Sequence, residues 1–447
     1  MEIKQFYDKA LAHGSYAIVS DGVMGVIDPA RNAKQYYEFA KEQSAKIIAV
    51  IETHPHADFI SSHKEIAETT GATIYTSKLT GASYAHKNFD DGDEIRLGKV
   101  RLTALNTPGH SPDSVSILLF DENGVEAAVF TGDTLFVGDV GRPDLRENAG
   151  AITAKREELA AQMYDSTRNI LMKLPESTIV YPAHGPGSLC GKSMSPELYS
   201  TIGKEKRKNY ALQPMSREHF VEVLLEDQPF IPKYFGHGVN TNKKGADVLE
   251  LSVKKVTRLK SNHNINPDAL IIDARPAEDF RKGHYPGAIN IQDGLKFETW
   301  LGSIVSPEEQ FYLIAKDDNH LDTLIEKAAK IGYEGKIAGA IAGIDNSSGS
   351  IEPLSAEKIL PKPDTYTIVD VRNEPEVKNK KIFSNSINLP LHELRERINE
   401  IPADKPVVVH CAAGYRSAAG ASIVKKYLPS LMVYDLGEEI TKCQNNN

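Results

Sequence analysis

Up to about residue 205 the apolar positions fall into short β-branched runs separated by amphipathic stretches. Ala17-Ile18-Val19 and Gly25-Val26-Ile27 flank Ser20-Asp21-Gly22, the pattern of two strands around a turn. Between Asn32 and Ser44, Tyr36, Tyr37, Phe39 and Ala40 recur at helical spacing, which predicts an amphipathic helix. Ile47 to Ile51 reads as a buried strand, with further strands over 100–105, 114–119 and 127–130 and a long helix over 153–173. Strands alternating with helices make this an α/β region. Residues 206–250 break the pattern. The charge run Lys204 to Lys208 reads as a solvated helix face. Pro229, Pro232 and the stretch 236–245 read as loop, so the segment is an extension of the first domain leading into a linker.

The remaining sequence repeats itself. Ile271-Ile272-Asp273-Ala274-Arg275 recurs as Ile368-Val369-Asp370-Val371-Arg372, and Gly287-Ala288-Ile289-Asn290-Ile291 as Asn385-Ser386-Ile387-Asn388-Leu389. Phe311 to Ala315 matches Val407 to Cys411. The offsets, 97, 98 and 96, are nearly constant, as expected of two copies of one small α/β domain. The predicted domains are therefore 1–250, 251–350 and 351–447.

Composition narrows the picture. A chain of 447 residues suggests about three domains, and 40% hydrophobic with 25% charged residues is ordinary for a globular protein. No stretch approaches the ~18 apolar residues of a membrane helix. Met1-Glu2-Ile3-Lys4 is followed by no apolar run, so no signal peptide is expected. Cys190, Cys411 and Cys443 cannot form a disulfide framework, which suits a reducing, cytoplasmic location. A net charge of -9 argues against nucleic-acid binding but leaves room for a locally basic pocket for a small anion.

Four blocks share one form, an apolar strand, a turn, then an imidazole or a carboxylate: Thr53-His54-Pro55-His56-Ala57-Asp58, Thr107-Pro108-Gly109-His110, Phe130-Thr131-Gly132-Asp133 and Tyr181-Pro182-Ala183-His184. Strand ends place such groups along one sheet rim, where α/β sites form. These residues resemble the metallo-β-lactamase superfamily over about 10–190, which implies an αββα sandwich with a metal at one edge. The usual motif is His-x-His-x-Asp-His, but Phe59 stands at its last position. Phenylalanine cannot ligate, and His63 is four residues out of place, so one metal is favoured over two. The mononuclear persulfide dioxygenase branch implies His54, His110 and Asp133 as ligands. It sets His56, Asp58 and His184 just outside. Two imidazoles and one carboxylate with open positions suit one non-haem Fe(II). The Gly-Arg-x-Asp pattern at Gly141-Arg142-Pro143-Asp144 is also typical of that branch. Arg142 is expected either to grip a substrate anion or to pair with Asp144. Cys190 follows in a segment resembling dioxygenases fused to sulfurtransferases, where it could exchange sulfane sulfur or lie buried and inert.

Val407-Val408-Val409-His410-Cys411-Ala412-Ala413-Gly414-Tyr415-Arg416 reads as strand, loop, helix. Loop N–H groups from Ala412, Ala413, Gly414 and Tyr415, a helix N-terminus and Arg416 would stabilise a thiolate or persulfide on Cys411. Four residues separate Cys411 from Arg416, one fewer than in cysteine phosphatases, a loop suited to sulfur rather than phosphate. This is similar to the rhodanese pattern, over about 355–440, with a second copy over about 255–345. In that copy Ala315 replaces the cysteine and Lys316-Asp317-Asp318 follows, so it is expected to be silent. Cys443 reads as an exposed tail thiol. The resemblance as a whole is to bacterial persulfide dioxygenase–rhodanese fusions. It implies oxidation of a small thiol persulfide by O2 to sulfite, coupled to sulfur transfer giving thiosulfate, in a homo-oligomer that needs no nucleic acid or membrane. A glyoxalase II-like thioester hydrolase and a non-catalytic sulfane-sulfur carrier are the alternatives.

Overall fold

The structure, a computed structural model, describes residues 1–145, 155–345 and 348–444. The first compact unit comprises Met1–Leu251 and counts Ala329–Gly332 with it; the second comprises Ser252–Ala328 and Tyr333 onward.

The first unit holds two six-stranded sheets. Sheet one runs in chain order through β1 (Glu2–Asp8), β2 (His13–Ser20), β3 (Val23–Ile27), β4 (Lys46–Ile51), β5 (Thr73–Thr76) and β6 (Lys87–Asn88). The β2–β3 turn is made by Asp21 and Gly22, both at positive φ (52° and 77°), the two-residue geometry that matches strand twist. Sheet two contains β7 (Glu94–Leu97), β8 (Val100–Asn106), β9 (Val115–Phe120), β10 (Glu126–Gly132), β11 (Ile179–Pro182) and β12 (Ser200–Thr201), again in chain order across the sheet. One core joins the facing sheets: Ile18, Ile27 and Ile51 from the first pack with Leu102, Ile117, Leu119 and Phe130 from the second. Helix Lys34–Glu42 covers the outer face of sheet one through Tyr36 and Phe39. Helix Arg156–Asn169 covers sheet two through Ala160 and Met163. The layering is the expected αββα sandwich. Of the long helix expected over 153–173, residues 153 and 154 lie outside the described residues.

The stretch 236–245, expected as loop, is corrected by the structure: Phe235–Lys244 is a helix. Its glycines oppose helix locally, but Gly238 lies so close to Ala57 that a Cβ would sit 2.2 Å from the Ala57 carbonyl oxygen. The helix is therefore fixed by what it packs against. The charge run sits on helix Ile202–Lys208, whose Glu205 is buried and accepts from Gly138 N–H and Asn209 Nδ2.

The second unit contains two five-stranded parallel sheets with corresponding strand orders. One holds β13 (Arg258–Leu259), β14 (Ile271–Asp273), β15 (Ala288–Asn290), β16 (Phe311–Ala315) and β17 (Ile337–Ala342), ordered 13-17-16-14-15. The other holds β18 (Glu352–Pro353), β19 (Thr367–Asp370), β20 (Ile387–Asn388), β21 (Val407–His410) and β22 (Val433–Asp435), ordered 18-22-21-19-20. Arg275 grips Asp273 as Arg372 grips Asp370. Asn290 donates to the Asp273 and Arg275 carbonyls as Asn388 does to those of Asp370 and Arg372. Cys443 is not an exposed tail thiol. Helix Ile440–Gln444 buries it completely against the core that contains Ile368 and Val408. Among the described residues no helix is long and apolar enough to cross a membrane.

Candidate functional site

The four motif blocks meet at one edge of the sandwich. His54 follows β4, His110 follows β8, Asp133 follows β10 and His184 follows β11. Gly109 leads into His110 with φ 152°, and a Cβ there would lie 2.6 Å from Met163 Cα, so only glycine fits that approach. His54 Nε2 and His110 Nε2 lie 3.7 and 3.4 Å from Asp133 Oδ2. All three side chains are buried, and their ligating atoms lie within 4.8 Å of one another.

The hydrogen bonds fix the tautomers. Thr53 Oγ1 gives its proton to Asp28 Oδ2 (2.8 Å), so His54 Nδ1–H must donate to Thr53 Oγ1 (3.0 Å). His110 Nδ1 lies 2.9 Å from the Arg142 carbonyl oxygen, which can only accept. With the proton on Nδ1, each neutral ring turns its Nε2 acceptor toward Asp133 Oδ2, itself buried without a hydrogen-bond partner. Burial and the neighbouring His56 hold His54 well below the usual imidazole range, keeping it neutral. Against its burial, the charge and hydrogen bond of His184 hold Asp133 well below the usual carboxylate range. Imidazole acceptors and a carboxylate converging in a buried site are stabilised by a cation, so the donor set fits a metal ion.

The outer residues divide. His184 Nδ1 donates to Asp133 Oδ1 (2.8 Å), and Nε2 lies 2.8 Å from Asp58 Oδ2. Despite burial, these carboxylates push His184 well above its ordinary value, as suits an imidazolium held between Asp133 and Asp58. His56 turns to Asp28, with Nε2 3.2 Å from Oδ1. Phe59, the last position of the motif, is buried beside it, ring centroids 4.4 Å apart. Cys190 is buried with Asp58 and His184 around its sulfur; burial, then the charges of Asp58 and Asp133, push the thiol up, so it keeps its proton. Arg142 does not present its guanidinium to a ligand. Nε and Nη2 bind the two Asp144 oxygens (2.7 and 2.6 Å) and Nη1 donates to the Leu189 carbonyl, so its contribution to the site is its own carbonyl on His110.

Three residues escaped the motif reading. Asp28, at φ 48°, accepts from both Thr53 N–H and Thr53 Oγ1 and so orients His54. Its signal was present: Val26-Ile27-Asp28 has the same strand-then-carboxylate form as the other blocks. Asn242 Nδ2 donates to the His56 and Phe59 carbonyls, and Tyr234 Oη donates to that of Asp58. No local pattern announces either.

In the second unit Cys411 ends β21, buried, with Gly414 N–H 3.1 Å from its sulfur. Gly414 has φ 101°, and a Cβ would lie 2.9 Å from Gly437 backbone carbon. Ala413 is exposed, Ala412 O accepts from Gln444 Nε2, and Tyr415 Oη donates to Gln292 O (2.6 Å). Arg416 is not aimed at the thiol alone. Both arms bind Glu376 (2.6 and 2.7 Å), which fixes its position. At the matching place in the first repeat, Lys316 N–H donates to His320 Nδ1 (3.2 Å), and no thiol follows β16.

A metal domain with a hydrolase-like sheet edge, joined to a repeated sulfur-transfer fold, is the class these features define. The metallo-beta-lactamase superfamily pattern matches residues 11–184, and the rhodanese-like domain pattern matches 254–343 and 352–439. Bovine mitochondrial persulfide dioxygenase ETHE1 is 30% identical over 210 residues, 46% of this chain and 72% of that one. Cytoplasmic hydroxyacylglutathione hydrolase of Arabidopsis thaliana is 32% identical over 174 residues, 38% of this chain and 62% of that one. A crystal structure of a metallo-beta-lactamase from Staphylococcus aureus subsp. aureus COL superposes with a TM-score of 0.68 at 33% identity, over 76% of this chain and 99% of that one. The chain belongs to the metallo-β-lactamase superfamily, as a homologue of the ETHE1 persulfide dioxygenases extended by two rhodanese-like domains.

Proposed function

We propose that this protein oxidises a low-molecular-weight thiol persulfide, RSSH + O2 + H2O → RSH + H2SO3, and passes sulfane sulfur through Cys411 to sulfite. His54, His110 and Asp133 would hold one Fe(II), which supplies the redox coupling between persulfide sulfur and dioxygen. Around it, Asp28 through Thr53 and the Arg142 carbonyl orient the two imidazoles. His184 holds the second Asp133 oxygen, and Phe59 keeps the neighbouring position apolar. Cys190, beside Asp58 and His184, would have to give up the proton its surroundings hold on it before it could exchange sulfane sulfur with a bound persulfide. In the second unit RSSH loads Cys411 (RSSH + Cys–S⁻ → RS⁻ + Cys–SSH), and the Cys411 persulfide gives its outer sulfur to sulfite, yielding thiosulfate and the free thiolate. Gly414 N–H already meets the sulfur, the loop residues Ala412, Ala413 and Tyr415 would complete the cradle for the anion, and Arg416 would supply the nearby charge. Tethering keeps the sulfite made at one site concentrated near the other. We place this chemistry in the cytosol, as persulfide detoxification by a homo-oligomer.

The observation that carries the reading is the convergence of two metal-ready Nε2 atoms on an orphaned Asp133 oxygen, with Phe59 where a second metal would need an imidazole. Phe59 also argues against the thioester-hydrolase reading, whose chemistry uses a metal pair. The test is oxygen uptake by anaerobically iron-loaded protein given glutathione persulfide or coenzyme A persulfide. Fast, persulfide-dependent uptake is expected, and it should vanish together with iron binding in His110→Ala. No uptake with iron bound would overturn the proposal.

A further inference from the structure

The chain after β22 runs back along the loop that carries Cys411. Asp435 Oδ1 accepts from Gly437 N–H (2.9 Å), which sets the turn out of the strand. Gly437, at φ 53°, lies against Gly414, where a Cβ would stand 2.9 Å from the Gly437 carbonyl carbon and 3.0 Å from Glu438 N. Gly414 is the residue whose N–H meets the Cys411 sulfur. Helix Ile440–Gln444 follows. Its Ile440 and Cys443 are buried in one core with Val408 of β21, the strand that leads into Cys411. Two buried side chains fix the rotation of this short helix, and so the direction of the next residue. Gln444 Nε2 donates to the Ala412 carbonyl oxygen (3.0 Å), a contact across 32 residues that lands on the first residue of the loop.

That carbonyl is one half of a rigid unit. In a trans peptide the C=O and the following N–H point in opposite directions and turn together, and no peptide bond among the described residues is cis. With its oxygen drawn to Gln444, the Ala412–Ala413 peptide directs Ala413 N–H away from Gln444. Ala413 is exposed, so its side chain does little to hold that plane. The next N–H along, that of Gly414, is the one already on sulfur.

Resting on the sulfur-transfer reading of Cys411 above, we propose that Gln444 is a positioning residue for that transfer. By holding the Ala412 carbonyl outward it aims Ala413 N–H into the loop beside Gly414 N–H, where both receive the negative charge of a Cys411 thiolate or persulfide. Cys443 is buried because it anchors the helix that presents Gln444.

Three variants test this in the full-length, iron-loaded protein. Gln444→Met keeps the length and the helix and removes the donor. Gln444→Glu keeps the shape and puts an acceptor in its place. Gln444→Lys restores a donor. Two rates are measured under nitrogen. One is sulfur transfer from glutathione persulfide to sulfite. The other is alkylation of Cys411 by iodoacetamide, read on its own peptide by mass spectrometry, which follows thiolate content and needs no turnover. In Gln444→Met the transfer kcat and the alkylation rate are each expected to fall about three- to tenfold, the worth of one partly buried hydrogen bond. KM for sulfite and persulfide-dependent oxygen uptake should stay within about twofold. Gln444→Glu should fall at least as far, and it decides alone should the methionine variant not fold. Gln444→Lys should recover most of both rates, also at high salt, where a rescue by charge alone would fade. Folded Gln444→Met and Gln444→Glu proteins that keep both rates would overturn the proposal, and so would a loss that Gln444→Lys fails to recover. If the unaltered protein transfers no sulfur through Cys411 yet the variants slow its alkylation, the sulfur-transfer reading fails and the positioning role stands. If transfer runs through Cys411 and the variants leave both rates untouched, only the role of Gln444 fails.

Discussion

Helix Phe235–Lys244 lies outside both matched segments, yet it holds the loop that carries two motif histidines. Asn242 Nδ2 donates to the carbonyls of His56 (2.8 Å) and Phe59 (2.7 Å), and its Oδ1 accepts from Ser61 N–H (2.8 Å). Asn242→Leu would leave two carbonyls and one N–H buried without partners. At about 1 kcal/mol each, the low end for such groups, the total is about 3 kcal/mol. A domain with about 5–15 kcal/mol of stability survives that loss. The metal-free loop can relax to recover part of it, and metal binding must then undo the relaxation. If about 1.4 kcal/mol is recovered, iron binds about tenfold more weakly, the lower edge of the 10–100-fold range for residues just outside a metal's ligands. Asn242→Asp keeps the volume and the acceptor but removes both donations, so it should weaken iron in the same direction. The assay is competition for Fe(II) against a chelator under nitrogen, with thermal unfolding followed on the same samples. A folded Asn242→Leu protein whose iron affinity stays within about twofold of the unaltered one would refute the reasoning.

Phe59→His returns an imidazole beside Asp58 and His184, so elemental analysis should find close to two metal equivalents per chain; one equivalent would mean that Phe59 is not what limits the site. Cys411→Ser should abolish thiosulfate formation while persulfide-dependent oxygen uptake continues, and loss of both would refute the division of labour between the two units. Ala315→Cys in a Cys411→Ser background should not restore sulfur transfer to cyanide, because His320 occupies the first loop N–H and stands where the active repeat has Arg416. Transfer within tenfold of the unaltered protein would contradict this.

What could be read from the sequence follows a physical division. The β2–β3 hairpin, the β4 run and the two repeats are set by local alternation and turn chemistry, and each appears at its expected place. The motif blocks were legible for the same reason: each is a strand end followed by one ligating side chain, and the sandwich has one edge at which four such ends meet. Helix Phe235–Lys244 was not legible. Its glycines and asparagines disfavour helix locally, and the contacts that override them, Gly238 on Ala57 and Asn242 on His56, span more than 180 residues. Cys443 was misread because four residues from a chain end usually means exposure, whereas Ile440 beside it anchors the last helix in the core. Arg142 carried two readings that differ only in which carboxylate it meets, and the neighbouring Asp144 takes it.

Phe59 shows how the two kinds of information combine. As a departure from a motif it is visible in the chain, and it speaks against a second metal. As a surface it is visible only in the fold, where it stacks on His13 from the opposite end of sheet one's first hairpin. Had the position kept histidine, the neighbouring layer would hold another ring with a lone pair and a proton to place, next to a His13 whose Nε2 already lacks a partner. Phenylalanine removes that conflict. It leaves His54 and His110 as the imidazoles turned to Asp133 Oδ2.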